Sequence, residues 1–292
     1  MSLGWFCLAG MIAAYGVANL LQSAAAARTT VHHTFDPSLL LRLASQRTYL
    51  VGLLCQMLGF LFAFLARRDL PLFLVQASVA AGLGVTAVLG VLILKWRLPG
   101  AEIALLALLL GGITALVMAA QPTHARPLGT AGVVALAVAV PVLALLGFPA
   151  ARLHGATGSV VLGTLAGVAF SAAAIAARPL AGEHSVAALL TNPLLYVLLA
   201  HSVVGQLLLG LAMQRGSTTA AVASMDSAGA VPAAIVGLLL LGDRIEPGRG
   251  WLATLGFVVT LGAVLGLTRY AEPQHHHATA PHRRVRSLTD HV

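Results

Sequence analysis

Apolar runs of about twenty residues, separated by short turns rich in Arg, Lys, Pro or Gly, follow one another along this chain. Such runs can enter a bilayer only as helices, because hydrocarbon offers no partner for a backbone N–H or C=O. In 292 residues, 59% are hydrophobic and only 9% charged, and the mean hydropathy is +0.92. Soluble domains do not have that composition. The sequence therefore predicts an all-α, polytopic membrane protein.

At a rise of about 1.5 Å per residue, the spans run Leu3 to Ala27, Thr48 to Ala66, Leu70 to Leu94, Ala101 to Ala120, Gly129 to Phe148, Gly158 to Ala177, Pro193 to Met213, Thr219 to Leu241 and Trp251 to Thr268, which makes nine. Trp5, Tyr49, Trp96, Tyr196, Trp251 and Tyr270 stand near span ends, where amphipathic rings meet headgroups. With an odd count the termini face opposite sides. One side holds eleven cations, Arg28, Arg42, Arg47, Lys95, Arg97, Arg152, Arg215, Arg269, Arg283, Arg284 and Arg286. The other holds six, Arg67, Arg68, Arg126, Arg178, Arg244 and Arg249. The positive-inside rule then puts the amino terminus outside and the carboxyl terminus in the cytoplasm of a plasma (inner) membrane.

Between the first two spans, Thr29 to Arg47 is too polar to cross, and Asp36-Pro37 before Leu39 to Leu43 reads as the start of an interfacial helix. After Thr268 the chain turns polar and basic, with His275, His276 and His277 ahead of Arg283, Arg284 and Arg286; residues 269–292 read as a disordered cytoplasmic tail. No Lys or Arg precedes Arg28, and Leu3 to Ala27 is too long for a signal-peptide core, so the first run reads as a retained span.

The net charge of +8 sits in turns and the tail and no nucleic-acid recognition motif is present, so nucleic acid is not an expected partner. Cys7 and Cys55 occupy separate apolar runs without CxxC spacing, and no metal or cofactor set is predicted. A membrane-embedded enzyme is disfavoured: HExxH, GxSxG and paired intramembrane carboxylates are all lacking.

A shift of 147 residues lays Val79 to Arg97 over Asp226 to Arg244, matching Ala81/Ala228, Gly82/Gly229, Ala87/Ala234, Gly90/Gly237, Leu92/Leu239, Leu94/Leu241 and Arg97/Arg244. Both windows lead into a basic turn with a proline, Pro99 or Pro247, and then another span. The two turns fall on opposite sides in the nine-span count. This predicts an inverted repeat of four plus five helices, 1–123 and 124–268, with a site near the midplane. Gly82, Thr86 and Gly90, and likewise Gly229, Ala233 and Gly237, share a helix face that serves tight packing or a sliding seam.

Of the nine acids, Asp226 is the one the count puts deep inside a span, with no Lys or Arg beside it. An ionisable side chain in hydrocarbon is costly and marks a cavity or pathway. Desolvation favours the neutral form of a carboxyl group, which suits proton coupling. Gln206 matches its depth, roughly 10 Å from the cytoplasmic end, with Asn19 and Gln56 at about 12 Å and Gln22 somewhat nearer. These form a candidate polar belt. His201 and Gln76 lie nearer the outside, roughly 7 Å from the Asp226 level in the case of His201. Each of these groups serves either a substrate or bonding between helices. Pro232 removes a backbone donor and frees the carbonyl near Ala228, giving a kink or backbone exposed to a ligand.

Pro232 in a small-residue helix, the turn Gly242-Asp243-Arg244-Ile245 and the later Gly256 and Gly262 resemble the drug/metabolite transporter superfamily of the EamA type, whose turn reads Gly-Glu-Arg-Leu. The likeness covers the second half well; in the first half Lys95-Trp96-Arg97-Leu98 lacks the acid and Val85 stands for the proline. The resemblance implies transport with an open choice of cargo. A four-plus-five count is similar to the nine-helix NIPA-like branch, which implies magnesium as an alternative, although one acid is a thin magnesium site unless the ion stays hydrated. The expected function is a secondary transporter of a small polar or amphipathic metabolite by alternating access, possible proton coupling resting on Asp226. A flippase for a lipid-linked sugar is the other alternative. Expected partners are a small-molecule substrate and membrane lipids, and a homodimer is allowed.

Overall fold

A computed structural model describes residues 3–26, 47–95, 98–183, 185–215 and 218–267. The interfacial segment predicted after Thr29, the turn residues Trp96 and Arg97, and the tail with His275 to His277 lie outside the described residues. The helices are α1 (Leu3–Ala26), α2 (Arg47–Asp69), α3 (Leu72–Ser78), α4 (Ala81–Leu94), α5 (Gly100–Ala119), α6 (Thr130–Ala150), α7 (Gly155–Leu180), α8 (Val186–Thr191), α9 (Pro193–Arg215), α10 (Thr218–Leu239) and α11 (Gly250–Leu267). Two short strands, β1 (Ala120–Gln121) and β2 (Arg244–Ile245), pair antiparallel, Ala120 with Ile245 and Gln121 with Arg244.

The protein is all-α and polytopic. Among the described residues, eight segments are long and apolar enough to cross a membrane, with Leu72–Ile93, spanning α3 and α4, counted as one. In α10 the apolar stretch is shorter, Ser224–Leu239. Large apolar side chains such as Leu54, Leu110, Leu145, Phe148, Leu207 and Val258 point outward, as a lipid-facing surface requires. Buried clusters lie inside, one built on Met11, Leu70, Phe73, Leu74, Val75 and Leu116, another on Ala173, Ala176, Leu180, Leu194 and Leu198.

In lipid, helices associate through close packing rather than the hydrophobic effect, so small residues mark their seams. α1 packs along α2 and α4, and α7 along α9 and α10; α5 crosses α11, and α3 lies on α10. A methyl on Gly16 would collide with Val85 and stand 3.0 Å from the Gly82 carbonyl oxygen; one on Gly163 would stand 2.5 Å from that of Ala221. At the α5/α11 crossing, methyls on Gly112 and Gly256 would lie 3.0 and 2.8 Å from each other's carbonyl oxygens.

Backbone and side-chain contacts gather many helix ends on one face. There Gly4 N–H at the start of α1 meets Asp69 at the end of α2, and Arg126 N–H before α6 bonds the Leu241 carbonyl beyond α10. Glu246 N–H bonds the Ala119 carbonyl, and Arg249 donates to that of Met118, joining the end of α5 to the start of α11. This is the face that carries six cations in the span count.

Candidate functional site

Arg178 is fully buried in the last turn of α7, opposite Asp243 in the turn after α10. Its Nη2 and Nε stand 2.8 and 3.2 Å from one carboxylate oxygen, Oδ1. Nη2 also donates to the Thr123 carbonyl at 2.8 Å, and Nη1 to the Arg67 carbonyl. Oδ2 accepts from the Leu72 backbone N–H at 2.5 Å, so the carboxylate caps the start of α3. Gly237 leaves room for it: a methyl there would stand 2.5 Å from Oδ2. A desolvated ion pair holds only when its remaining donors and acceptors are engaged. These bonds do that, and they fasten the ends of α2, α3, α7 and α10 to the segment after β1.

Arg67, two residues before the end of α2, is also buried, at 6% exposure, whereas Arg68 beside it is exposed. Its Nη2 lies 3.5 Å from Gln76 Oε1, a long bond, and its Nε–H has no acceptor among the described residues. Nearby Asp69 is turned away, accepting from Gly4 N–H at 3.1 Å and facing His124 at 4.0 Å.

Just past Gln76 the helix breaks. Ala80 N–H bonds the Ala77 carbonyl at 3.3 Å, Gly82 N–H that of Val79 at 3.1 Å and Leu83 N–H that of Ala80 at 3.0 Å, so three-residue turns replace the α ladder between α3 and α4. Ser78 sits at the break, fully buried, its hydroxyl without a partner among the described residues. Interrupted backbone at membrane depth is tolerated where protein or a cavity covers it.

Asp226 is half-buried in α10 and has no hydrogen-bond or ion-pair partner among the described residues. Gln76 bonds Arg67. His201 is buried, with Nε2 2.9 Å from the Leu136 carbonyl, so it ties α9 to α6. Asn19, Gln56 and Gln206 are exposed, and among the described residues no hydrogen bond joins Asn19 or Gln206 to Asp226. Matching depth along a span sets a side chain's height in the bilayer, not the direction in which it points.

Two features lie outside the sequence reading. A helix is interrupted at Ser78 to Ala80, in a stretch without proline, while α10 stays helical across Pro232. The interior is also more charged than the span count allowed. Arg67, Arg178, Asp243 and Glu102, the last in the first turn of α5, are all buried. These span ends turn inward and satisfy Arg178 and Asp243 against each other. A signal for the pair was present: both residues fall on the same side of the count, with opposite signs, each beside a long small-residue helix.

No protein-family model, curated protein or solved structure matches the chain.

Proposed function

We propose that the chain is a secondary transporter that moves a small polar or amphipathic metabolite by alternating access, through nine spanning helices built as an inverted repeat of four plus five, with Asp226 as the coupling or binding group. The observation that carries this reading is a packing scheme that occurs twice. α1 lies along α2 and α4, and α7 along α9 and α10. The 147-residue shift that aligns Gly82 with Gly229 also aligns Gly16 with Gly163, the two glycines at those seams. α1 and α11 start at the face described above, whereas α7 and α5 end there, so each pair of counterparts runs in opposite directions, as inversion requires.

The same shift puts Val79, at the helix break, opposite Asp226. An interrupted helix in one half and a lone acid at the equivalent place in the other support a midplane site between the halves. The likeness to drug/metabolite transporters in the second half points the same way.

The test is uptake into proteoliposomes with and without a pH gradient, over a cargo panel that includes metabolites and magnesium. For a coupled cargo, Asp226→Asn is expected to abolish the response to the gradient. An unchanged response in that variant would remove Asp226 from the mechanism. A flippase is the second reading, favoured by an apolar groove of about 420 Å³ between α1 and α5, lined by Trp5, Leu8, Ala9, Ile12 and Val117. Translocation of a labelled lipid-linked sugar in the same vesicles would select it.

A further inference from the structure

We propose that Arg67 and Gln76 form the recognition point for an oxyanion, a carboxylate or phosphate, carried by the transported molecule. This names a substrate class and rests on the transporter reading above.

The charge balance of the buried cluster is the starting point. Arg67 and Arg178 bring two positive charges, and Asp243 brings one negative charge, bound to Arg178. One cation is left over, and it is Arg67: no carboxylate among the described residues lies within ion-pair distance of it. Arginine near a span end ordinarily extends its head toward water. Arg68 is exposed, but Arg67 is buried and reaches Gln76, four residues into α3. A buried cation without a counter-ion is strongly disfavoured, so its retention asks for an anion that arrives from elsewhere.

The surrounding groups fit that anion. A guanidinium offers five N–H donors in a planar fork that matches a carboxylate or phosphate edge. Among the described residues a single long bond, to Gln76, engages the guanidinium. The break just past Gln76 also gives the site a way to respond, since an anion drawing Gln76 toward Arg67 would act on the joint between two helical segments.

The test is equilibrium binding to the full chain in phosphatidylcholine nanodiscs, read as a shift in melting temperature and by calorimetry. The probes are inorganic phosphate and hexanoate, with hexylamine and hexanol as cationic and neutral controls, and a parallel set of discs contains phosphatidic acid. Phosphate or hexanoate should bind and the controls should not. Loss of soluble-anion binding in the phosphatidic acid discs would identify a lipid headgroup as the source of the oxyanion. Arg67→Met should weaken binding by about ten- to a hundredfold, the worth of a charge-assisted bond. Gln76→Glu covers the case in which Arg67→Met fails to fold: it supplies an internal counter-ion, so it should raise the melting temperature and abolish anion binding together. Failure of both anions to bind the wild type, or wild-type anion binding in either variant, would overturn the proposal. Transport keeps the two readings separate. Uptake of a neutral or cationic cargo that survives Arg67→Met would sink the oxyanion site and leave the transporter, whereas anion binding without uptake of any cargo would do the reverse.

Discussion

Arg178 and Asp243 stabilise the fold as a pair and endanger it singly. Asp243→Ala leaves a guanidinium buried without its carboxylate and uncaps the first turn of α3, so it is expected to cost roughly 3–5 kcal/mol, measured by unfolding in detergent micelles. The double variant Arg178→Met/Asp243→Leu is expected to lose less than either single change, because no unpaired charge remains; a double loss equal to the sum would show that the residues act separately. At this scale the sequence was legible in part. Asp226 stands out because its neighbours are all apolar or small, while Arg178 and Asp243 hide at span ends, where charge is ordinary. Burial depends on where a neighbouring helix ends, and hydropathy along a single run carries no record of that.

Helices are the level at which hydropathy is most informative, since each run must satisfy its own backbone in lipid, and the span boundaries fall within a few residues of the observed helices. The break between α3 and α4 was not legible. Gln76 and Ser78 are tolerated in any spanning helix, and no proline or glycine pair marks the break. Seams between helices are testable by size. Gly163→Leu would drive a side chain into the backbone of α10 at Ala221 and is expected to cost about 1–3 kcal/mol or more and to block uptake of any identified cargo. Gly111, where an added methyl would meet nothing within 4 Å, is the control: Gly111→Ala should melt and transport as the wild type does. Equal losses in both variants would refute the seam.

For the whole molecule, orientation follows from cation counts and is open to a direct check. In a background lacking Cys7 and Cys55, the exposed positions Glu183 and Leu153, at opposite ends of α7, are each replaced by Cys. An impermeant maleimide is expected to label Glu183→Cys in intact cells and Leu153→Cys only after permeabilisation; the reverse pattern would invert the molecule. The proposed repeat rests on a faint register match in one helix pair and on the packing of a second pair at the same shift. The ribbon of β1 and β2, with the Arg249 bond to Met118 beside it, buttons the last helix of the first half to the last helix of the second along one rim. Were the halves to rock, this rim would act as the clasp of a clamshell: the jaws would gape on the far side while it holds, and the opposite pose would require these bonds and those of the Arg178–Asp243 cluster on the same face to let go.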